Sequence, residues 1–101
     1  MTLKAAFIFL SPDADSKKDR NIVATKEVEL TVVATRNYDD AVAVAHELTK
    51  SGIESIELCG GFGHAGAALI AQAVSDEASV GAVRFDIHPG LGGVSGDTVF
   101  T

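Results

Sequence analysis

The segment Lys4-Ala5-Ala6-Phe7-Ile8-Phe9-Leu10 is apolar at every position after its lysine. Successive side chains of a strand point to opposite faces, so a strand that lacks polar alternation needs cover on both. That places residues 4–10 inside a layered fold. Three further runs have strand character: residues 28–35 are rich in β-branched side chains, residues 54–59 are short and bounded by glycines, and residues 80–88 alternate. Helical patterns lie between them. Residues 39–51 set Ala41, Val44, Ala45 and Leu48 on one stripe, with Asn37 as N-cap, Asp39 and Asp40 at the positive end of the helix dipole, and Gly52 as the stop. Residues 65–75 repeat the pattern with Leu69, Ile70, Ala73 and Val74, and residues 15–25 make a weaker helix with Ile22 and Val23 on one side.

The order β-α-β-α-β-α-β predicts an α/β fold: a small, open, mostly parallel four-stranded sheet with flanking helices in three layers, followed by an irregular C-terminal tail. One domain is expected over residues 1–90, with a glycine-rich tail at 91–101 serving as a lid or a subunit contact. A chain of 101 residues has room for one core. At 47% hydrophobic residues it is too apolar for disorder, and a net charge of −6 argues against a nucleic-acid partner. A single cysteine excludes an intramolecular disulfide framework and suits a reducing compartment. The apolar run near the N-terminus is shorter than a signal-peptide core, and nothing approaches the roughly 20 apolar residues of a membrane span. A cytoplasmic protein without a membrane partner is expected. So small a domain buries only about 60–65% of its unfolded surface, which favours a homo-oligomer.

In parallel sheets, ligands bind outside the carboxyl ends of the strands. Nine of the ten glycines lie from Gly60 onward, and Gly60, Gly61 and Gly63 sit between a predicted strand and a predicted helix. Bare amides at a helix N-terminus suit a phosphate or carboxylate. Gly61-x-Gly63-x-x-Gly66 formally satisfies a dinucleotide fingerprint, yet it falls on the third strand of a very small chain. A tight turn that packs a helix closely on the sheet explains the same glycines.

On an alternating strand, Arg84, Asp86 and His88 share one side while Val83, Phe85 and Ile87 share the other. Arg84 is the one Lys or Arg after Lys50, so it is the candidate to orient an anion. Asp86 beside His88 would fix the imidazole tautomer for general acid–base work. Glu57 and Cys59 are expected to share a side of the preceding strand, Glu57 pairing with Arg84 and Cys59 serving as a nucleophile. The plainer alternatives are a structural Glu57–Arg84 ion pair and a buried Cys59 acting as a small hydrophobe. His64, His88 and Asp86 could form a two-His, one-carboxylate metal site, although no close ligand spacing is present. His46 reads as a helix surface residue and Tyr38 as a boundary residue.

The strings Glu57-Leu58-Cys59-Gly60-Gly61-Phe62-Gly63 and Gly81-Ala82-Val83-Arg84-Phe85-Asp86-Ile87-His88-Pro89-Gly90 resemble a family of short microbial proteins of unknown function. The likeness extends to residues 5–12 and 28–33. The family pattern carries proline where this chain has His64, which weakens that residue as a ligand or base. The resemblance supplies no reaction and no cofactor.

Three functions fit these residues. The first is a small-molecule enzyme or enzyme-like binding domain for an anionic or carbonyl-bearing metabolite, with Asp86, His88 and Cys59 catalytic and Gly60, Gly61, Gly63, Arg84 and Glu57 binding. The second is a non-catalytic homo-oligomeric module that senses a metabolite and assembles through its tail. The third is a metal-dependent lyase or hydrolase.

Overall fold

The computed structural model describes residues 1–85 and 87–101; the expectations placed on Asp86 lie outside the described residues. The strands are β1 (Leu3–Leu10), β2 (Arg20–Ala24), β3 (Val28–Thr35), β4 (Ser55–Leu58) and β5 (Ser79–Ala82). The helices are α1 (Tyr38–Lys50), α2 (His64–Ala73) and the short α3 (Gly96–Val99), with a 3₁₀ turn at Pro89–Leu91. The sheet runs β2-β3-β1-β4-β5, parallel throughout except for the antiparallel β2–β3 hairpin.

Three expectations change. The first concerns residues 15–25, where a strand replaces the expected helix, making five strands in place of four. Ile22 and Val23 are β-branched and fit a pleated surface, and β3 offers a long partner. The hairpin turns through Lys26 and Glu27, without the Asn-Gly type of sequence that would have announced it. Arg20 then joins β2 to α1 by donating from both terminal nitrogens to the Glu47 carboxylate, at 2.7 and 3.1 Å. The guanidinium beside Glu47 holds that carboxyl below its usual range. Glu47 is more than half exposed, so Glu47→Gln, which leaves the Arg20 Nε bond to the Ser16 carbonyl in place, should cost no more than about 1 kcal/mol. Chemical denaturation measures this, and a loss of several kcal/mol would make the pair structurally essential.

The second change is the length of the last strand. β4 ends at Leu58, opposite Ala82, so β5 has no partner to pair with beyond that residue. Arg84 and His88 therefore do not lie in a strand row.

The third is the number of layers. Ala41, Val44, Ala45 and Leu48 of α1 and Ile70 of α2 join Ala6, Ile8, Val33, Ile56 and Leu58 in one buried cluster. Both helices thus cover the same face of the sheet, giving two layers rather than three. The opposite face carries Leu3, Phe7 and Phe9 from β1 and Leu30 and Val32 from β3, with none of the described helices over it.

Local signals set the helix ends. The Asn37 side chain accepts the Asp40 amide at 2.9 Å, and Gly52 takes a positive φ of 98° just past the Ser51 cap. α2 begins differently: its N-cap is Gly63, which has no side chain to offer.

Candidate functional site

The missing cap of α2 is supplied from the far end of the chain. Asp97 of α3 accepts the amides of Ala65 and Gly66, each at 3.0 Å, and the Tyr38 hydroxyl at 2.7 Å. Tyr38 Oη in turn accepts the Gly63 amide at 3.1 Å. Three donors of the helix N-terminus are thus satisfied by the chain's own tail. Burial pushes the Asp97 carboxyl up, but the tyrosine hydroxyl, the two amides and nearby His64 outweigh it and leave the group below its ordinary range. Tyr38 is pushed up to about 12, first by burial and then by the adjacent carboxylate, against the pull of the Gly63 amide.

The glycines make room for this arrangement. A Cβ on Gly63 would lie 2.3 Å from the Asp97 carboxyl carbon, and one on Gly66 would lie 2.3 Å from the Tyr38 ring. Two members of the formal dinucleotide fingerprint therefore accommodate side chains of the same molecule. The amides that a phosphate would need at Gly63, Ala65 and Gly66 are already bonded.

Beside this latch, at the carboxyl ends of β1 and β4, lies a cavity of about 430 Å³. Leu10, Ser11, Cys59 and Gly61 form its floor, while His88, Leu91 and Phe100 from the last part of the chain enclose it. The tail folds back onto its own chain: Phe100 is buried in the core and its carbonyl accepts the Tyr38 amide at 3.2 Å. Cys59 Sγ accepts the Gly61 amide at 3.4 Å. His88 Nδ1 accepts the Gly90 amide at 3.0 Å, so the neutral ring carries its proton on Nε2. Phe85 packs on that imidazole with ring centres 4.6 Å apart.

The sequence-predicted residues therefore divide. Cys59, Gly61 and His88 share the 430 Å³ cavity. Arg84 lines a separate cavity of about 310 Å³ with His64, Phe62 and Phe85. A Cβ on Gly60 would collide with the Phe85 ring, so this glycine is a packing position. Gly63 belongs to the latch. Glu57 stands exposed on the helix-free face, opposite Gly81 and Phe7, while Arg84 follows the end of β5. Among the described residues, no group of three or more His, Cys, Asp or Glu is placed to hold a metal ion. No described helix is long and apolar enough to cross a membrane.

A larger opening, about 510 Å³, lies between β2 and the end of α1. Three of its charged groups are already engaged, Arg20 bonding Glu47 and Lys4 reaching the Ser51 carbonyl, while Glu29 also lines it. A guest there would have to break these bonds, so the cavity at the strand ends is the better candidate.

Sequence reasoning passed over Asp97 and Tyr38. One signal was available: α2 has no acidic residue in its first turn and no capping side chain, while the glycine-rich tail carries a single carboxylate.

These features describe a small two-layer α/β domain whose own C-terminal segment caps a helix and closes a cavity at the carboxyl edge of its sheet. The family model for a family of unknown function, DUF6506, matches residues 3–98, and the chain belongs to that family. No curated protein and no solved structure matches it.

Proposed function

We propose that the protein is an enzyme-like binding domain for a small, largely apolar metabolite bearing a carbonyl or carboxylate. The observation that carries this reading is the 430 Å³ cavity, within the usual size range for metabolite sites, where apolar walls meet Cys59, His88 and Ser11. His88 has spent Nδ1 on Gly90, so what it offers a guest is the Nε2 proton. That makes it a donor to a carbonyl or carboxylate oxygen rather than a base in this state. Cys59 is the one nucleophilic thiol of the chain, and it lines the same cavity. The expected setting is the reducing cytosol, where such a thiol persists.

The test is a thermal-shift screen of short-chain carboxylic and 2-oxo acids, paired with the rate of Cys59 alkylation by iodoacetamide. A true guest should raise the melting temperature and slow alkylation together. His88→Gln should weaken its binding about tenfold, the worth of one hydrogen bond to a charged or polarised oxygen. If no compound protects Cys59, or if a bound compound is indifferent to His88→Gln, the reading fails. Product formation would make the site catalytic, and saturable binding without turnover would make it a sensing module.

A further inference from the structure

The sheet face opposite the helices presents Leu3, Phe7, Phe9, Val23, Leu30 and Val32, with Leu3 41% and Val23 61% exposed. β1, the central strand, is thus apolar on both sides after Lys4, yet the described helices cover only one. Among the described strand positions on that face, Glu57 is the one ionisable group. We infer that a second copy of this chain covers the face, the two sheets packing about a two-fold axis that runs along the strands between β3 and β1.

The register makes the face complementary to itself. Asn21 pairs with Val32, Val32 with Phe7, and Phe7 with Glu57, so these four residues form one level row across β2, β3, β1 and β4. Rotation about an axis between β3 and β1 lays the row on its own reverse. Val32 of each copy then meets Phe7 of the other, and Asn21 meets Glu57. The Asn21 carbonyl oxygen already accepts the Ile22 amide at 2.8 Å, which turns the side chain's NH₂ to the role of donor. Each Glu57 carboxylate therefore lands on an amide rather than on a second carboxylate.

Two chains of net charge −6 repel each other, and a face with one ionisable group among its described strand positions adds little to that repulsion. A two-fold interface uses the same patch on both partners, so self-complementarity is its requirement. Its size fits a weak, concentration-dependent dimer. Strands of five, eight, eight and four residues, about 4.8 Å apart, cover about 400 Å² per copy and about 800 Å² in all. That is the range of transient rather than permanent interfaces. Facing sheets pack about 10 Å apart and within about 30° of alignment, so residues close to the axis, such as Val32 and Phe7, stay opposed. The inference is independent of the cavity reading above.

Light scattering at about 100 µM should give twice the 10.4 kDa chain mass. Val32→Lys places an ammonium group against Phe7 of the other copy, in the apolar contact beside the axis. It should keep the far-UV spectrum and weaken assembly at least 100-fold. In a Cys59→Ser background, Asn21→Cys with Glu57→Cys should be joined into a covalent dimer by a short bis-maleimide, because sheets about 10 Å apart hold the two cysteines beyond disulfide reach but within the span of the linker. Within one chain those positions are three strands apart, about 14 Å, and a link between them adds no second chain to the mass. A native mass of one chain, a dimer that Val32→Lys leaves intact, or failure of the bis-maleimide to join two chains overturns the proposal.

Discussion

Gly96→Ala is expected to destabilise the protein by about 3 kcal/mol, near the upper end of what overpacking costs. An added Cβ would lie 1.6 Å from the Gly61 carbonyl oxygen, 2.8 Å from its carbon and 3.3 Å from the Gly63 nitrogen. All three are backbone atoms of a turn already pinned by the Tyr38 hydroxyl, so no flexible side chain can move aside. Relief must come from lifting α3 off the turn. That movement would withdraw Asp97 from α2 and Phe100 from the core together. For a domain of this size, a loss of 3 kcal/mol corresponds to a fall in melting temperature of about 12–24 °C. Gly81→Ala serves as the control, since a Cβ there meets nothing within 4 Å. Equal melting temperatures for the two variants would show that the tail does not dock as described.

Asp97→Ala is expected to cost about 2–3 kcal/mol and to expose the C-terminal segment to proteolysis. It removes the acceptor of two amides and of the Tyr38 hydroxyl at once, and hydrogen bonds to a charged group are among the stronger ones. Asp97→Asn should cost less, because an amide oxygen can keep the partners of Oδ1 while its NH₂ faces the Ala65 amide. The latch also carries a pH signature. The Asp97 carboxyl lies below its ordinary value in the folded chain, so its contribution is complete above about pH 4 and is lost as pH falls through the folded value. Tyr38, raised to about 12, contributes fully below about pH 10 and loses that contribution as pH climbs toward 12. Denaturation across pH should show the acid limb shrink in Asp97→Asn and the alkaline limb shrink in Tyr38→Phe. Unchanged limbs would place the proton linkage elsewhere.

Much of the scaffold can be read from short stretches of chain. α1 announces itself through its stripe, its Asn37 cap and its Gly52 stop, because each of these acts within one or two helical turns. The apolar runs that become β1, β3 and β4 are equally local. Residues 20–24 were harder, since Ile22 and Val23 suit a helix stripe or a strand, and the choice fell to a partner strand rather than to the segment itself. The same dependence explains the last strand. Alternation continues past Ala82, but pairing stops there because β4 is only four residues long.

The candidate site follows the same division. Local sequence indicated that the glycines after β4 and the residues around His88 belong at the carboxyl edge, and Cys59, Gly61 and His88 do line one cavity there. It could not indicate that Arg84 lines another, or that Asp97 reaches back 31 residues to Gly66. Hydrophobic period and capping are encoded within a few residues, so the chain by itself determined an α/β fold, the ends of α1 and the edge where a guest could sit. Strand order, the side on which both helices lie, and the tail's carboxylate on α2 arise from contacts between distant segments. Only the folded molecule decides which of those contacts are made, because each wins by burying surface or satisfying an amide that no local stretch can provide for itself.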